Sequence, residues 1–282
     1  LSIALELARF DKSYEDVATK FFEHWAAITH AINTLGGTGL WDDDDGFYYD
    51  QIHEDDGAER LKIRSLVGLL PICAVEVLPL GKLQGLSGFQ KRMKWFLQNR
   101  KELADRLAFV GDGESEKALL AIPSRVQLQR VLRYMLDEDE FLSPYGIRSL
   151  SKVHESEPFI FKREKDEYRV DYTPAESRTE MFGGNSNWRG PIWFPINYLL
   201  IEALERYGLF YGDDLKVECP THSGNWMTLQ AVADELAHRL TLLFQRDEHG
   251  NCAFAGDDSR FRDDPHYRDL VWFYEYFDGD TG

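Results

Sequence analysis

Three phrases of the chain hold the residue types that chemistry on a sugar would need. The densest is FGGNSNWRGPIWFPINYLL, residues 182–200. Gly183 and Gly184 loosen the backbone, and Asn187, Trp188 and Arg189 then cluster just ahead of an expected helix, where Pro191 suits the first turn. Trp193 and Asn197 stand four apart, on one helical face. Flat indoles, amides and a guanidinium together match a sugar ring: its apolar face stacks on an aromatic and its hydroxyls bond to Asn and Arg. Trp193, Ile196 and Leu200 fit a plain core role equally well, with Arg189 neutralising a buried acid. At the loop edge, Asn187, Trp188 and Arg189 favour function.

The second phrase, VWFYEYFDGDTG at 271–282, sets Glu275 among Trp272, Phe273, Tyr274, Tyr276 and Phe277. An acid inside an aromatic run is unusual unless it is paired or functional. Aromatic walls raise a carboxyl pKa, which suits general acid–base work. The plainer reading is a helix-end Glu paired with Arg268 or Arg189. The third phrase, LWDDDDGFYYD at 40–50, offers four consecutive carboxylates. Hard cations take several oxygens, so calcium is conceivable. The calcium-loop pattern wants Gly sixth and Glu twelfth. Counted from Asp42, Gly46 falls fifth and His53 twelfth, so no metal site is assigned and no cofactor is expected. Trp41, Tyr49 and Asp50 are read instead as the wall of a pocket. HExxH, GxSxG and phosphate-binding glycine patterns are missing, which removes zinc protease, serine hydrolase and kinase readings.

The whole composition narrows the partners. A 43% hydrophobic share supports a sizeable core, and 32 basic against 49 acidic side chains give a net charge of −17. Such a surface repels phosphate backbones and anionic lipid, so neither nucleic acid nor membrane is an expected partner. No apolar run reaches the roughly 18 residues of a membrane span. Cys73, Cys219 and Cys252 lie far apart with no CxxC, so a reducing compartment, the cytoplasm, is the default. The opening LSIALELARF is already helical in pattern and lacks a capping residue, while FDGDTG ends on turn residues. These ends read as those of a piece cut from a longer protein.

The elements that must position these phrases are mainly helices. Periodicity predicts helices over 13–34, 87–107, from Pro123 to about residue 137, 190–207, 227–246 and 265–277. On the first of these, Val17, Phe21, Phe22, Trp25, Ile28 and Ile32 form the expected apolar face. The apolar run 65–78 is expected as a buried helix, and 47–65 as a β-hairpin. Long helices in series, joined by long loops and without a linker, suggest one domain over 1–282 built as a solenoid or a closed ring of hairpins.

With GLWDDDDGFYYD (39–50), SPYGIRSLS (143–151), MFGGNSNWRGPIWFPINYLLIEAL (181–204) and FYEYFDGDTG (273–282) in this order, the chain resembles glycoside hydrolase family 63. That is the family of processing α-glucosidase, and the likeness is greatest to its bacterial glucosidase-like branch. The resemblance implies an all-α (α/α)6 toroid with the site at one mouth, here incomplete and lacking its first helices. It implies inverting hydrolysis of an α-glucosidic bond in an oligosaccharide or glucoside. Glu275 stands at the family's general base. The family's general acid is an Asp in a G-L-D-N or S-G-x-D-D phrase, which this sequence lacks. The acid is therefore expected upstream of Leu1, and the piece alone is expected to be inactive. Trp188, Arg189, Trp193 and Trp41 would shape the glucose subsite, with Asn187, Tyr49 and Asp50 beside them. Helix faces left open by the cut would favour self-association. The alternative reading is a non-catalytic carbohydrate-binding or structural helical domain.

Overall fold

Small residues set the first contact. Helices α1 (Ser2–Ala8) and α2 (Tyr14–Thr34) pack through Ala4, Leu5 and Ala8 against Ala18 and Phe22. The structure, a computed structural model, describes residues 1–37, 39–54, 57–99, 107–110, 116–175 and 190–282. The buried side of α2 is Ala18, Phe22, Ala26 and Thr29, while Val17, Phe21 and Ile28 face outward. The expected apolar face is thus divided. The Ala seam lets α1 and the later helix at Ser87–Asn99 approach, with Phe22 buried between them and Val17, Phe21 and Ile28 left outside.

Two short hairpins follow: β1 (Trp41–Asp42) with β2 (Phe47–Tyr48), and β3 (Asp50–Glu54) with β4 (Gly57–Leu61). The expected hairpin is present in this region, set closer to its turn. The expected buried helix at 65–78 is not formed. Leu66–Gly68 and Leu70–Cys73 are 3-10 turns, broken by Pro71, and the run ends in strand β5 (Val75–Pro79). Helix α3 (Ser87–Asn99) is the described part of the helix expected over 87–107, and Leu107 belongs instead to strand β6 (Leu107–Val110). Residues 100–106 lie outside the described residues.

Strand β7 (Lys117–Ala121) explains why the apolar run 75–79 is extended. It lies between β5 and β6 in an antiparallel sheet, with Val77 opposite Leu119 and Ala108 opposite Leu119. Val75, Leu119 and Ala121 point into the main core, while Leu78, Ala118 and Leu120 point to the α1–α2–α3 layer. A strand covered on both faces loses the polar alternation that marks a strand in sequence, so it reads like a buried helix.

The other side of this sheet is helical. Helix α4 (Arg125–Met135) begins at a capping box in which Ser124 accepts from the Gln127 amide and Gln127 accepts from the Ser124 amide. After the ribbons β8 (Leu142–Ser143) with β9 (Gly146–Ile147) and β10 (Phe159–Arg163) with β11 (Asp166–Val170) comes β12 (Ile192–Trp193). Helix α5 (Phe194–Tyr211) starts there, later than expected, and packs on α6 (Leu229–Leu242), to which the hairpin β13 (Lys216–Glu218) and β14 (Trp226–Thr228) connects it. Residues 265–277 are not helical: turns lead to β15 (Tyr276–Phe277), which pairs with β12. The aromatic run favours extended structure once a partner strand is available. The architecture is therefore helix-rich with small antiparallel sheets, rather than purely α. Among the described residues no helix is long and apolar enough to cross a membrane.

The two adjacent phenylalanines of α2 give a test. Phe22 is 1% exposed and Phe21 49%. In denaturant unfolding, Phe22→Ala is expected to cost about 3–5 kcal/mol and Phe21→Ala to stay within about 0.5 kcal/mol.

Candidate active site

Residues 147–151, the heart of the SPYGIRSLS phrase, are extended and bonded on both sides. On one side Leu66 N–H donates to Ser149 O at 2.8 Å and Ser151 N–H to Arg64 O at 2.9 Å. On the other, Ser149 N–H donates to Pro191 O at 3.1 Å, and the Ser149 hydroxyl accepts from Gly190 N–H at 2.8 Å. Asn197, 1% exposed, completes this side. Its Oδ1 accepts from Ile147 N–H at 2.7 Å, and its Nδ2 donates to Ile147 O and Trp193 O at 3.0 and 2.9 Å. The amide that sequence pairs with Trp193 is thus consumed in holding backbone. Gly190 is required here: its φ is +143°, and a Cβ would stand 1.5 Å from Thr173 O.

This arrangement fixes Trp193 and Glu275 together. Ile192 pairs with Phe277 and Trp193 with Tyr276, while Phe194 N–H donates to Glu275 O at 3.0 Å. The Trp193 and Tyr276 rings lie 5.5 Å apart with planes 30° from parallel. Glu275 itself is exposed, as are Phe273 and Tyr274 before it. The apolar enclosure expected around its carboxylate is not formed in this structure. Among the described residues its side chain has no ion pair, so the expected pairing with Arg268 is not made; Arg268 lies near Asp269 instead.

The FDGDTG phrase is held from below. Gly279 N–H donates to Pro174 O at 2.7 Å, and a Cβ on Gly279 would lie 2.5 Å from Gly190 O. Asp280 Oδ1 accepts from Tyr172 Oη at 3.0 Å and from Arg148 Nη2 at 3.2 Å, and lies 3.3 Å from Lys152 Nζ. Burial would raise the Asp280 pKa, but the Tyr172 hydrogen bond and the Arg148 and Lys152 charges outweigh it and hold the carboxyl below its ordinary range. Arg148 and Asp280 were not legible as a pair. The available signal was an Arg between Ile147 and Leu150 in an otherwise apolar and small-residue phrase.

The WDDDDGFYYD residues form a separate set of contacts. Trp41 and Tyr49 are buried. Trp41 Nε1 donates to Asp43 at 2.7 Å, and Tyr49 Oη donates to Asp45 at 3.0 Å. Asp42 accepts from the amides of Asp44 and Asp45 and pairs with Arg60 and Lys62, both at 3.2 Å. Burial acts to raise the Asp42 pKa, yet these donors and cations lower it overall. Two of the four acids of this turn, Asp42 and Asp45, are thus paired with Arg60 and Lys62, and among the described residues no group of three or more His, Cys, Asp or Glu could hold a metal ion. Asp50 begins β3 as an exposed residue. Asn187, Trp188 and Arg189 lie outside the described residues.

Beside this turn, Arg64 pairs with Glu140, which also accepts from Ser151. Glu140, with Asp44, Asp45, Arg130 and Tyr134, borders an open, polar cavity of about 310 Å³ between the β1–β2 turn and the end of α4. Arg64 N–H also donates to His154 Nε2 at 3.0 Å, while His154 Nδ1 lies 3.0 Å from Glu157 O. The two contacts require a neutral ring protonated on Nδ1.

Comparison with known proteins adds identity to this geometry. The profile of the mannosylglycerate hydrolase MGH1-like glycoside hydrolase domain matches residues 118–282. An uncharacterized protein of Saccharomyces cerevisiae is 48% identical over 299 aligned residues, covering 100% of this chain and 28% of its own length. The mannosyl-oligosaccharide glucosidase of the same yeast is 34% identical over 92 residues, 32% of this chain and 8% of that protein. A probable mannosyl-oligosaccharide glucosidase of Schizosaccharomyces pombe is 37% identical over 79 residues, 28% of this chain and 7% of that protein. The chain thus spans about a quarter of the first relative and far less of the glucosidases.

The His154 geometry makes a pH prediction. Burial, with Arg64 adding to it, lowers the His154 pKa below the ordinary 6.5 against the opposing Glu157 contact. The unfolded chain then takes up a proton before the native one does. The stabilisation is complete above pH 6.5 and is lost as pH falls through that value toward the lowered native one. Glu140 acts with the opposite sign, because burial raises its pKa despite Ser151 and Arg64. The comparison with a His154→Gln variant isolates the histidine. Between about pH 7.5 and about pH 5.5 the parent melting temperature should fall more than that of the variant. Equal slopes would remove the buried neutral histidine from the account.

Proposed function

The chain belongs to the MGH1-like glycoside hydrolase family, of the family 63 type, and from that premise we propose that its full-length protein hydrolyses an α-glucosidic bond with inversion. The substrate is an oligosaccharide or glucoside. The reading is carried by one observation: Glu275 presents an exposed carboxylate from a backbone held by Phe194 N–H, next to the paired rings of Trp193 and Tyr276.

In an inverting glycosidase one carboxylate takes a proton from water while a carboxylic acid protonates the departing oxygen. The two groups stand about 6.5–9.5 Å apart, leaving room for that water. Glu275 is the base. The Trp193 indole offers a flat apolar face to the sugar, and Asn187, Trp188 and Arg189, which precede it in sequence, are assigned to the same subsite by residue type. The acid is an aspartate of the full-length protein outside this sequence, in a phrase of the G-L-D-N or S-G-x-D-D type. Asp42 and Asp45 are poor candidates for it, because each is already engaged by Lys62. The paired helices α5 and α6 are two members of an (α/α)6 toroid whose mouth bears these loops.

The test is glucose release from a panel of α-glucosides by the full-length protein, with the anomer of the first product followed by NMR. The β-anomer should appear first. Glu275→Gln should lower kcat by about 10²–10⁴-fold. An active Glu275→Gln enzyme would remove the base assignment. Binding of glucosides without turnover would favour a carbohydrate-binding domain instead.

A further inference from the structure

We propose that Asp280 is a positioning residue, which holds the Glu275 backbone in register with β12 by latching the following loop to the buried Arg148. The proposal rests on Glu275 being the catalytic base only for its effect on turnover; its structural part stands independently.

Glu275 needs such an anchor. The ribbon that carries it is two residues long on each strand, and a ribbon that short does not hold itself in water. The chain before it is held by ring contacts: Leu270, Val271, Trp272, Phe273 and Tyr274 are all exposed, while Phe273 packs on Phe194 and Phe244 and Trp272 on Phe261. A polar hold comes from the other side. Asp278 Oδ1 accepts from the amides of Asp280 and Thr281, which folds the loop so that Asp280 turns back toward the protein. There one oxygen of Asp280 meets Tyr172, Arg148 and Lys152 together.

The strength of the latch follows from Arg148. Its side chain is 4% exposed, and among the described residues Asp280 is the carboxylate within ion-pair distance of it. Its remaining donors go to Tyr172 Oη and to the carbonyls of Glu138 and Leu142. A buried guanidinium that loses its counter-charge is strongly destabilised, so Arg148 holds Asp280 more firmly than an exposed pair would. Asp280 is ionised throughout the neutral range, so it serves as a fixed charge and not as a proton carrier.

Two readouts test this on the full-length protein. The first is hydrogen exchange at the Phe194 amide, whose acceptor is Glu275 O. Asp280→Asn should accelerate it by about tenfold or more while the amides of α4 keep their rates. The second is kinetic: kcat should fall by about 10–100-fold with KM nearly unchanged, by the same factor from about pH 5 to about pH 8. Asp280→Glu, which keeps the charge, should recover part of the loss. Unchanged Phe194 exchange in a folded Asp280→Asn protein would overturn the proposal, and so would a loss confined to one limb of the pH profile. If Asp280→Asn does not fold, Lys152→Met withdraws one partner from Asp280 without exposing a buried charge. It should still speed Phe194 exchange by about threefold, and no change there would also overturn the latch. Faster Phe194 exchange combined with an active Glu275→Gln enzyme would retain the latch and discard the catalytic base.

Discussion

A guanidinium taken out of water has to be surrounded by acceptors and a counter-charge, and Arg148 imposes that requirement on the centre of the site. Its partners come from three separated stretches of chain: the carbonyls of Glu138 and Leu142, the Tyr172 hydroxyl and the Asp280 carboxylate. The backbone on either side of Arg148 is already committed, through Ser149 to Leu66 and Pro191, and through Ile147 to Asn197. The Arg148 side chain ties the SPYGIRSLS phrase to FDGDTG, and its neighbours Ile147 and Ser149 tie the same phrase to GPIW and to Asn197, so the three phrases share one layer. Phrases that stand over a hundred residues apart in sequence become adjacent because an unpaired buried charge would cost more than the ordering of the loops.

The sheet β5–β7–β6 plays the corresponding part for the hydrophobic core. It gives the main core and the α1–α2–α3 layer a shared wall, with alternate side chains of β7 entering each. Deleting volume on one face of such a strand is felt on the other through the backbone they share. The acidic surplus of the chain is handled differently. Asp42 and Asp45 are turned onto Arg60 and Lys62 in a tight local turn, while Asp43 and Asp44 face solvent, which separates the four charges.

The legible part of this molecule was the part governed by short-range rules. Helices α2, α4 and α6 follow from spacing and, for α4, from Ser124 and Gln127 at its start. The phrases of the site were legible by residue type, and β12 and β15 bring the backbones carrying Trp193 and Glu275 side by side. What sequence did not disclose depends on partners far away. Residues 75–79 are a strand because β7 covers them, not because of their own pattern. The aromatic run at 272–277 looked helical until β12 supplied its edge. Asn197 looked like a sugar ligand because nothing nearby in sequence marks Ile147 as the backbone it holds. Asp280, the last carboxylate of the chain, has a role that only Arg148 explains.

In the proposed inverting reaction, the open position of Glu275 suits one of the two carboxyl roles and not the other. A general acid has to keep a proton at neutral pH, and an apolar enclosure that raises its pKa helps it to do so. A general base for inversion has the opposite need: it must be ionised and must meet water on the face away from the departing group. The aromatic enclosure read from residues 272–277 would have suited the acid. The structure instead leaves Trp272, Phe273 and Tyr274 partly exposed, buries Phe277, and holds Glu275 by its backbone carbonyl, with its side chain exposed to solvent. Precision then has to come from what holds the backbone on either side of Glu275. The rings of Phe273 and Phe277 pack it on Phe194 and Phe244, the short ribbon sets its register against Trp193, and the ionic hold on the loop behind it fixes where that ribbon ends.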